Sequence, residues 1–101
     1  MTDTQTTASQ RATIVNRKGL HARASAKLSR LAGEFDSRII VTHEGETADA
    51  RSIMDLMMLV AHTGCEVDIR AEGPDAAEAV TAIASLIAEG FGEQGDADAL
   101  C

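Results

Sequence analysis

Glu66-Val67-Asp68-Ile69-Arg70-Ala71 alternates polar and apolar residues without a break. Successive side chains of an extended chain point to opposite faces, so this stretch predicts a strand with one buried and one wet face. Strands of that kind belong to antiparallel sheets, and the dry face needs helices to cover it while the other face stays largely open. The rest of the chain reads accordingly. Arg11 to Asn16 (Ala12 and Ile14, with Val15 out of phase) predicts a first strand, the β-branched Ser37 to His43 a second, and Thr47 to Asp49 a short third after the turn Glu44-Gly45-Glu46.

Three helices separate or follow these strands. From Ala22 to Ala32, Leu28 and Leu31 fall at helical spacing with Ala24 and Ala32 beside them, and Phe35 continues the series; Gly33 is placed to stop the helix. Ser52 predicts an N-cap for a second helix, with Asp55 three residues on resembling a capping box. Its body, Ile53 to Val60, is apolar nearly all round, so some of Ile53, Met54, Met57 and Met58 are expected in the core and some in solvent. Exposed methionines suit a surface that meets several partners. Gly73-Pro74 breaks the alternating strand, and Asp75 with Glu78 predicts a second capping box. Val80, Ile83 and Ile87 then form a buried stripe up to Gly90. The order is β-α-β-β-α-β-α, an α+β class. Residues 1–10 read as a disordered N-terminal tail, 11–91 as the domain, and 92–101 as an acidic, flexible C-terminal tail.

The chemistry concentrates in Arg17-Lys18-Gly19-Leu20-His21-Ala22-Arg23. A glycine breaks the chain, and His21 stands at or just before the first turn of a helix. There, backbone N–H groups without intrahelical partners and the positive end of the helix dipole form an anion site. An imidazole in that place, with a guanidinium two residues on, suits a nucleophile that takes up a phosphoryl group. His43, at a strand end, and His62, at a turn, lack that setting and read as incidental.

Charge narrows the function further. Residues 4–33 carry six basic side chains, Arg23, Lys27 and Arg30 among them, and no acidic one, whereas residues 66–101 carry a net charge of −8. An acidic protein without Trp or Tyr, and with a basic patch round one histidine, is not built to bind nucleic acid. The patch fits docking on acidic protein surfaces. With two aromatic residues, Phe35 and Phe91, the core is expected to be aliphatic. No apolar run reaches the length of a membrane span and the first ten residues are not signal-like, so a cytoplasmic protein is expected. Cys65 and Cys101 make no disulfide framework: Cys65 is expected at the edge of the core and Cys101 on a free tail. His62 and Cys65 lack the further ligands of a metal site and read as a turn. No cofactor site is visible.

Gly19-Leu20-His21-Ala22-Arg23 resembles the active-site signature of the HPr family, the histidine-containing phosphocarriers of the bacterial phosphoenolpyruvate-dependent phosphotransferase system. The resemblance continues in register through Arg51-Ser52-Ile53-Met54, similar to the family's regulatory-serine segment, and Ala71-Glu72-Gly73-Pro74-Asp75, over roughly residues 11 to 91. It implies an open-faced sandwich, a four-stranded antiparallel sheet with three helices. It also implies a carrier, not an enzyme: His21 would accept a phosphoryl group on Nδ1 from phospho-Enzyme I and pass it to Enzyme IIA-type proteins, with Arg23 steadying the group. Ser52 would be a site for HPr kinase/phosphorylase, and Lys27, Arg30, Ile53, Met54 and Met57 would serve docking by a monomeric carrier. The methionine-rich helix and the Gly90-Phe91 ending look similar to the nitrogen-regulatory branch. The family's usual proline after the arginine is here Ala24, which puts the rigidity of the histidine loop in question. The alternative is a docking module of the same fold that acts without phosphotransfer.

Overall fold

The computed structural model describes residues 6–93. Four strands, β1 (Thr6–Thr13), β2 (Arg38–His43), β3 (Glu46–Asp49) and β4 (Glu66–Gly73), and three helices, α1 (Ala22–Ala32), α2 (Ile53–Met58) and α3 (Ala76–Ala88), follow one another in the expected order, with a 3-10 turn over Gly90–Gly92. The strands form one sheet in the order β1-β4-β2-β3, antiparallel at every pairing.

The alternating strand β4 lies inside the sheet. Val67, Ile69 and Ala71 are buried, and Glu66, Asp68 and Arg70 face solvent. Ile39 pairs with Ala71 and Val41 with Ile69 across β2, so apolar positions meet on one face. Helix α3 lies over β1 and β4, while α1 packs beside α2 and α3. Leu28, Leu56, Ile83 and Ile87 fill the layer between. That core is aliphatic apart from Phe91, which is fully buried beyond the end of α3.

Two expectations about the chain ends are corrected. Thr6 to Gln10 is not a disordered tail but the first half of β1, paired from Thr6 with Gly73 to Thr13 with Glu66. Its Thr/Gln/Ser composition hides an edge strand held by the backbone ladder, with Ala8 and Ala12 as its contacts to the core. The predicted strand Arg11 to Asn16 accordingly ends at Thr13, and Ile14 leaves it to become buried. At the other end, Gly92 and Glu93 are part of the folded unit. The expected flexible tail beyond them, Cys101 included, lies outside the described residues, as does the start of the N-terminal tail. Cys65 is a free, half-buried thiol packed against the core.

The capping box at α3 is a third correction. Asp75 occupies the N-cap, yet its side chain makes no cap hydrogen bond. Its carboxylate instead accepts from the Ser37 hydroxyl at 2.5 Å and the Asp36 backbone N–H at 2.9 Å, fastening the start of β2 to the start of α3. At α2 the expected cap is present: Ser52 Oγ accepts from the Asp55 N–H at 3.1 Å. The Asp55 carboxylate does not close the box but reaches the Asp49 N–H at 3.4 Å.

Removing apolar volume under the sheet has a larger effect than removing charge from its wet face. Ile69→Ala should lower stability by about 2–5 kcal/mol, and Arg70→Ala, which loses only an exposed pair with Glu72, should stay within about 0.5 kcal/mol; urea unfolding of both variants checks the contrast. The Ser37 hydroxyl, and after it the Asp36 N–H, hold the Asp75 carboxyl below the usual aspartate range. A depressed folded pKa stabilises above the unfolded value, and that contribution is lost as pH falls through the folded one. Asp75→Asn should therefore flatten the fall in stability below about pH 4, measured by acid titration followed by circular dichroism.

Candidate functional site

The segment before α1 is held from several sides by the turn before β4. The Ile14 N–H donates to the Cys65 carbonyl at 2.9 Å, and the Gly64 N–H to the Ile14 carbonyl at 2.8 Å. The Thr63 hydroxyl bonds the carbonyls of Asn16 and Arg17, and the Leu20 N–H donates to the Ala61 carbonyl at 2.9 Å. Gly19 makes the closest approach. Its φ of +63° is left-handed, and a Cβ there would stand 2.4 Å from the Ala61 oxygen and 2.6 Å from the His62 Cα. Leu20 then turns into the core, which delivers His21 at the head of α1.

His21 is the N-cap residue, extended at φ −79° and ψ −177°, and its side chain makes no cap hydrogen bond. Its carbonyl accepts from the Ser25 N–H at 2.8 Å. The helix therefore begins while the N–H groups of Ala22, Arg23 and Ala24 have no acceptor among the described residues, and the first turn carries no acidic side chain. Arg23 is exposed, and its guanidinium makes no hydrogen bond or ion pair among the described residues. The arrangement has the open N–H donors that an anion could use, with an imidazole at their edge.

The imidazole has a partner that sequence reasoning missed. His21 Nε2 lies 2.5 Å from Glu93 Oε2, with the His21 side chain 27 % and that of Glu93 11 % exposed. Glu93 Oε1 accepts from the buried Asn16 Nδ2 at 3.1 Å, and the same amide group donates to the Gly19 carbonyl at 2.9 Å. Burial would raise the Glu93 carboxyl. The hydrogen bonds from His21 and Asn16, with the nearby charge of Lys27, outweigh it and hold the group below the usual glutamate range. Lys27 is half-buried, and its ammonium donates to the Phe91 carbonyl at 2.7 Å, closing the chain end over α1. The one available sequence signal was Phe91, a large apolar residue between glycines in an acidic stretch.

The other candidate residues lie on the neighbouring helix and its surroundings. Arg30 is exposed on α1, and Ser52 caps α2. Ile53 and Met57 are each 41 % exposed and Met54 72 %, and Met58 is exposed as well, so the expectation that some of these four are core is corrected. A helix of six residues presents one inward stripe, which Leu56 fills, with Leu59 just beyond. Val60 follows in the left-handed region at φ 52°, and the turn lets Leu59 and Ala61 both point inward while Val60 is exposed. His43 is buried at the end of β2, and His62 is exposed. Among the described residues no group of three or more His, Cys, Asp or Glu side chains could hold a metal ion, and no helix is long and apolar enough to cross a membrane.

A one-sided antiparallel sheet under three helices, with a histidine at an open helix head, is the form of a small phosphoryl-carrier protein. The family described as PTS HPr component phosphorylation site matches residues 8–89. Phosphocarrier protein HPr of Cupriavidus necator is 52 % identical over 81 residues, covering 80 % of this chain and 91 % of the relative. Phosphocarrier protein NPr of Escherichia coli K12 is 36 % identical over 88 residues, covering 86 % and 98 %. The crystal structure of HPr-C-His from Thermoanaerobacter tengcongensis matches with a TM-score of 0.82 at 38 % identity, covering 86 % of this chain and 98 % of that one. The chain belongs to the HPr family of phosphocarriers, which are carriers and not enzymes.

Because Gly19 has both a left-handed φ and backbone atoms against its α-hydrogen, Gly19→Ala should cost about 1–3 kcal/mol. Thermal unfolding checks this, with Gly45→Ala, where a Cβ meets nothing within 4 Å, as the control for left-handed strain without the clash.

Proposed function

We infer that His21 accepts a phosphoryl group on Nδ1 from the phosphohistidine of Enzyme I and hands it to an Enzyme IIA-type protein in the cytoplasm. The observation that carries this reading is the place of His21, extended at the head of α1, before first-turn N–H groups that its own side chain leaves uncapped. The Nδ1 lone pair forms the new P–N bond as the donor's P–N bond breaks and returns its electron pair to the donor ring. Charge spreads over the equatorial oxygens in a loose transition state, where positioned donors supply most of the catalysis. The N–H groups of α1 and the uncommitted guanidinium of Arg23 are such donors. Transfer onward is the same step reversed, with the partner's nucleophile attacking.

The partner surface would join Arg23 and Arg30 to the apolar face of Ile53, Met54 and Met57, with Lys27 bracing the chain end beside them. Charge complementarity there would raise the association rate, and the methionines would adapt to more than one partner. Ser52 would be the regulatory site. A phosphate there adds a charge of about −1.5 to −2 next to this apolar face, which is tolerable at a helix start but hostile to docking. A docking module without phosphotransfer explains the apolar face but leaves the uncapped helix head beside His21 without a use.

Incubation with Enzyme I, Mg²⁺ and phosphoenolpyruvate, followed by intact mass measurement, tests the reading. The expected result is one adduct of about 80 Da, a single phosphate, lost in acid and absent from His21→Ala. No adduct on the unaltered protein, with Enzyme I shown to be active, would sink phosphotransfer. Arg23→Ala should accept the group roughly a hundredfold to a thousandfold more slowly, on the scale of removing one positioned donor.

A further inference from the structure

We propose that Glu93 is a positioning residue for phosphotransfer: its carboxylate holds the proton of the His21 ring on Nε2, and thereby keeps the Nδ1 lone pair free to attack phosphorus. The proposal rests on the reading of His21 as the phosphoryl acceptor and deepens it.

The argument is one of donors and acceptors. An ionised carboxylate can only accept hydrogen bonds. At 2.5 Å from Glu93 Oε2, His21 Nε2 therefore carries a proton that it donates, and in a neutral imidazole the other nitrogen is then the unprotonated one. The carboxylate is itself fixed. Asn16 is buried and spends its amide N–H groups on the Gly19 carbonyl and on Glu93 Oε1. Turned round, the amide would aim its oxygen at two acceptors, so its orientation is set, although it leaves Asn16 Oδ1 buried without a partner. Asn16 thus ties the carboxylate to the loop that delivers His21. Lys27, bonded to the Phe91 carbonyl two residues before, adds a positive charge near Glu93.

The same contact acts during transfer. As the Nδ1 lone pair goes to phosphorus, positive charge develops on the ring, and the Nε2–H bond to Glu93 strengthens without the carboxyl taking the proton. This is the part a buried aspartate plays behind a catalytic histidine. Glu93 stands on the opposite edge of the ring from Nδ1, so it need not contact the incoming phosphoryl group.

Glu93→Gln is the sharpest variant, because its amide has one acceptor and one donor end. With its oxygen toward His21, its NH2 meets the Asn16 NH2. With its oxygen toward Asn16, its NH2 faces Nε2 and favours the tautomer protonated on Nδ1, which blocks the nucleophile. Glu93→Ala removes the contact without reversing it. Both variants and the unaltered full chain would be compared by ¹⁵N imidazole NMR at alkaline pH, where the ring is neutral, and by the initial rate of phosphorylation by Enzyme I, with thermal unfolding to check the fold.

The expected result is a ring protonated almost wholly on Nε2 in the unaltered protein and a measurable Nδ1-protonated fraction in both variants, largest in Glu93→Gln. Phosphorylation should slow by roughly tenfold to a hundredfold, the range seen when the orienting partner of a metal-bound histidine is removed. A tautomer ratio unchanged in both variants would overturn the proposal, and so would a shifted ratio with an unchanged rate. In either case His21 phosphorylation itself would stand. An unaltered protein that takes no phosphate from active Enzyme I would instead remove the phosphocarrier reading, and the positioning role with it.

Discussion

The β1–β4 ladder is the interaction on which the rest of the molecule depends. Eight residue pairs join the two strands, and the pairing does not stop at the end of β1. It continues through Ile14 to Cys65 and Gly64, through Thr63 to Asn16 and Arg17, and through Leu20 to Ala61. The loop that presents His21 is thus an extension of the sheet. Loops that carry chemistry are usually held by a rigid scaffold; here the scaffold is the backbone of the central strand and the turn leading into it. Only glycine at position 19 lets the two backbones approach closely enough for the Leu20–Ala61 bond to form.

Charge is distributed so that the two ends of the chain meet over α1. The N-terminal third is basic and the last third acidic, and at the site the two meet through particular contacts. Lys27 holds the Phe91 carbonyl, and His21 and Asn16 hold the Glu93 carboxylate. Phe91 anchors this segment by burial, which brings Glu93 to the ring despite a sequence separation of 72. A carboxylate placed on Nε2 leaves the N–H donors of the helix head for an incoming anion, whereas one at the helix head would compete with it.

The parts of this architecture legible in the sequence are those with a period or a local cap. The alternation of β4, the stripe of α3 and the Ser52 cap follow from residues within a few positions of one another, and the structure has them. His21 at the head of α1 was legible for the same reason. The Thr6–Gln10 half of β1 was not, because an edge strand stabilised by ladder bonds needs no apolar alternation. Asp75 misled because a carboxylate at an N-cap can satisfy a neighbouring chain as readily as its own helix. Met54 and Met58 misled because apolar spacing does not tell which face a short helix turns inward. Glu93 was illegible because nothing local links it to position 21.

The same network bears on Ala24, which stands where the family usually has proline. A proline in the first turn of a helix fixes one backbone angle and removes an N–H that has no intrahelical partner. Here Ala24 is fully buried, and the loop before it is already constrained by Gly19 against Ala61, by Asn16 across Gly19, and by Thr63 across two carbonyls. The order of the histidine loop therefore does not depend on a ring at position 24. Alanine also retains a backbone N–H that proline lacks, but Ala24 has no exposed surface, so the donors open to an anion are those of the exposed Ala22 and Arg23. The substitution gives up a local constraint without changing those donors, and the bonds to the turn before β4 are what make that loss tolerable.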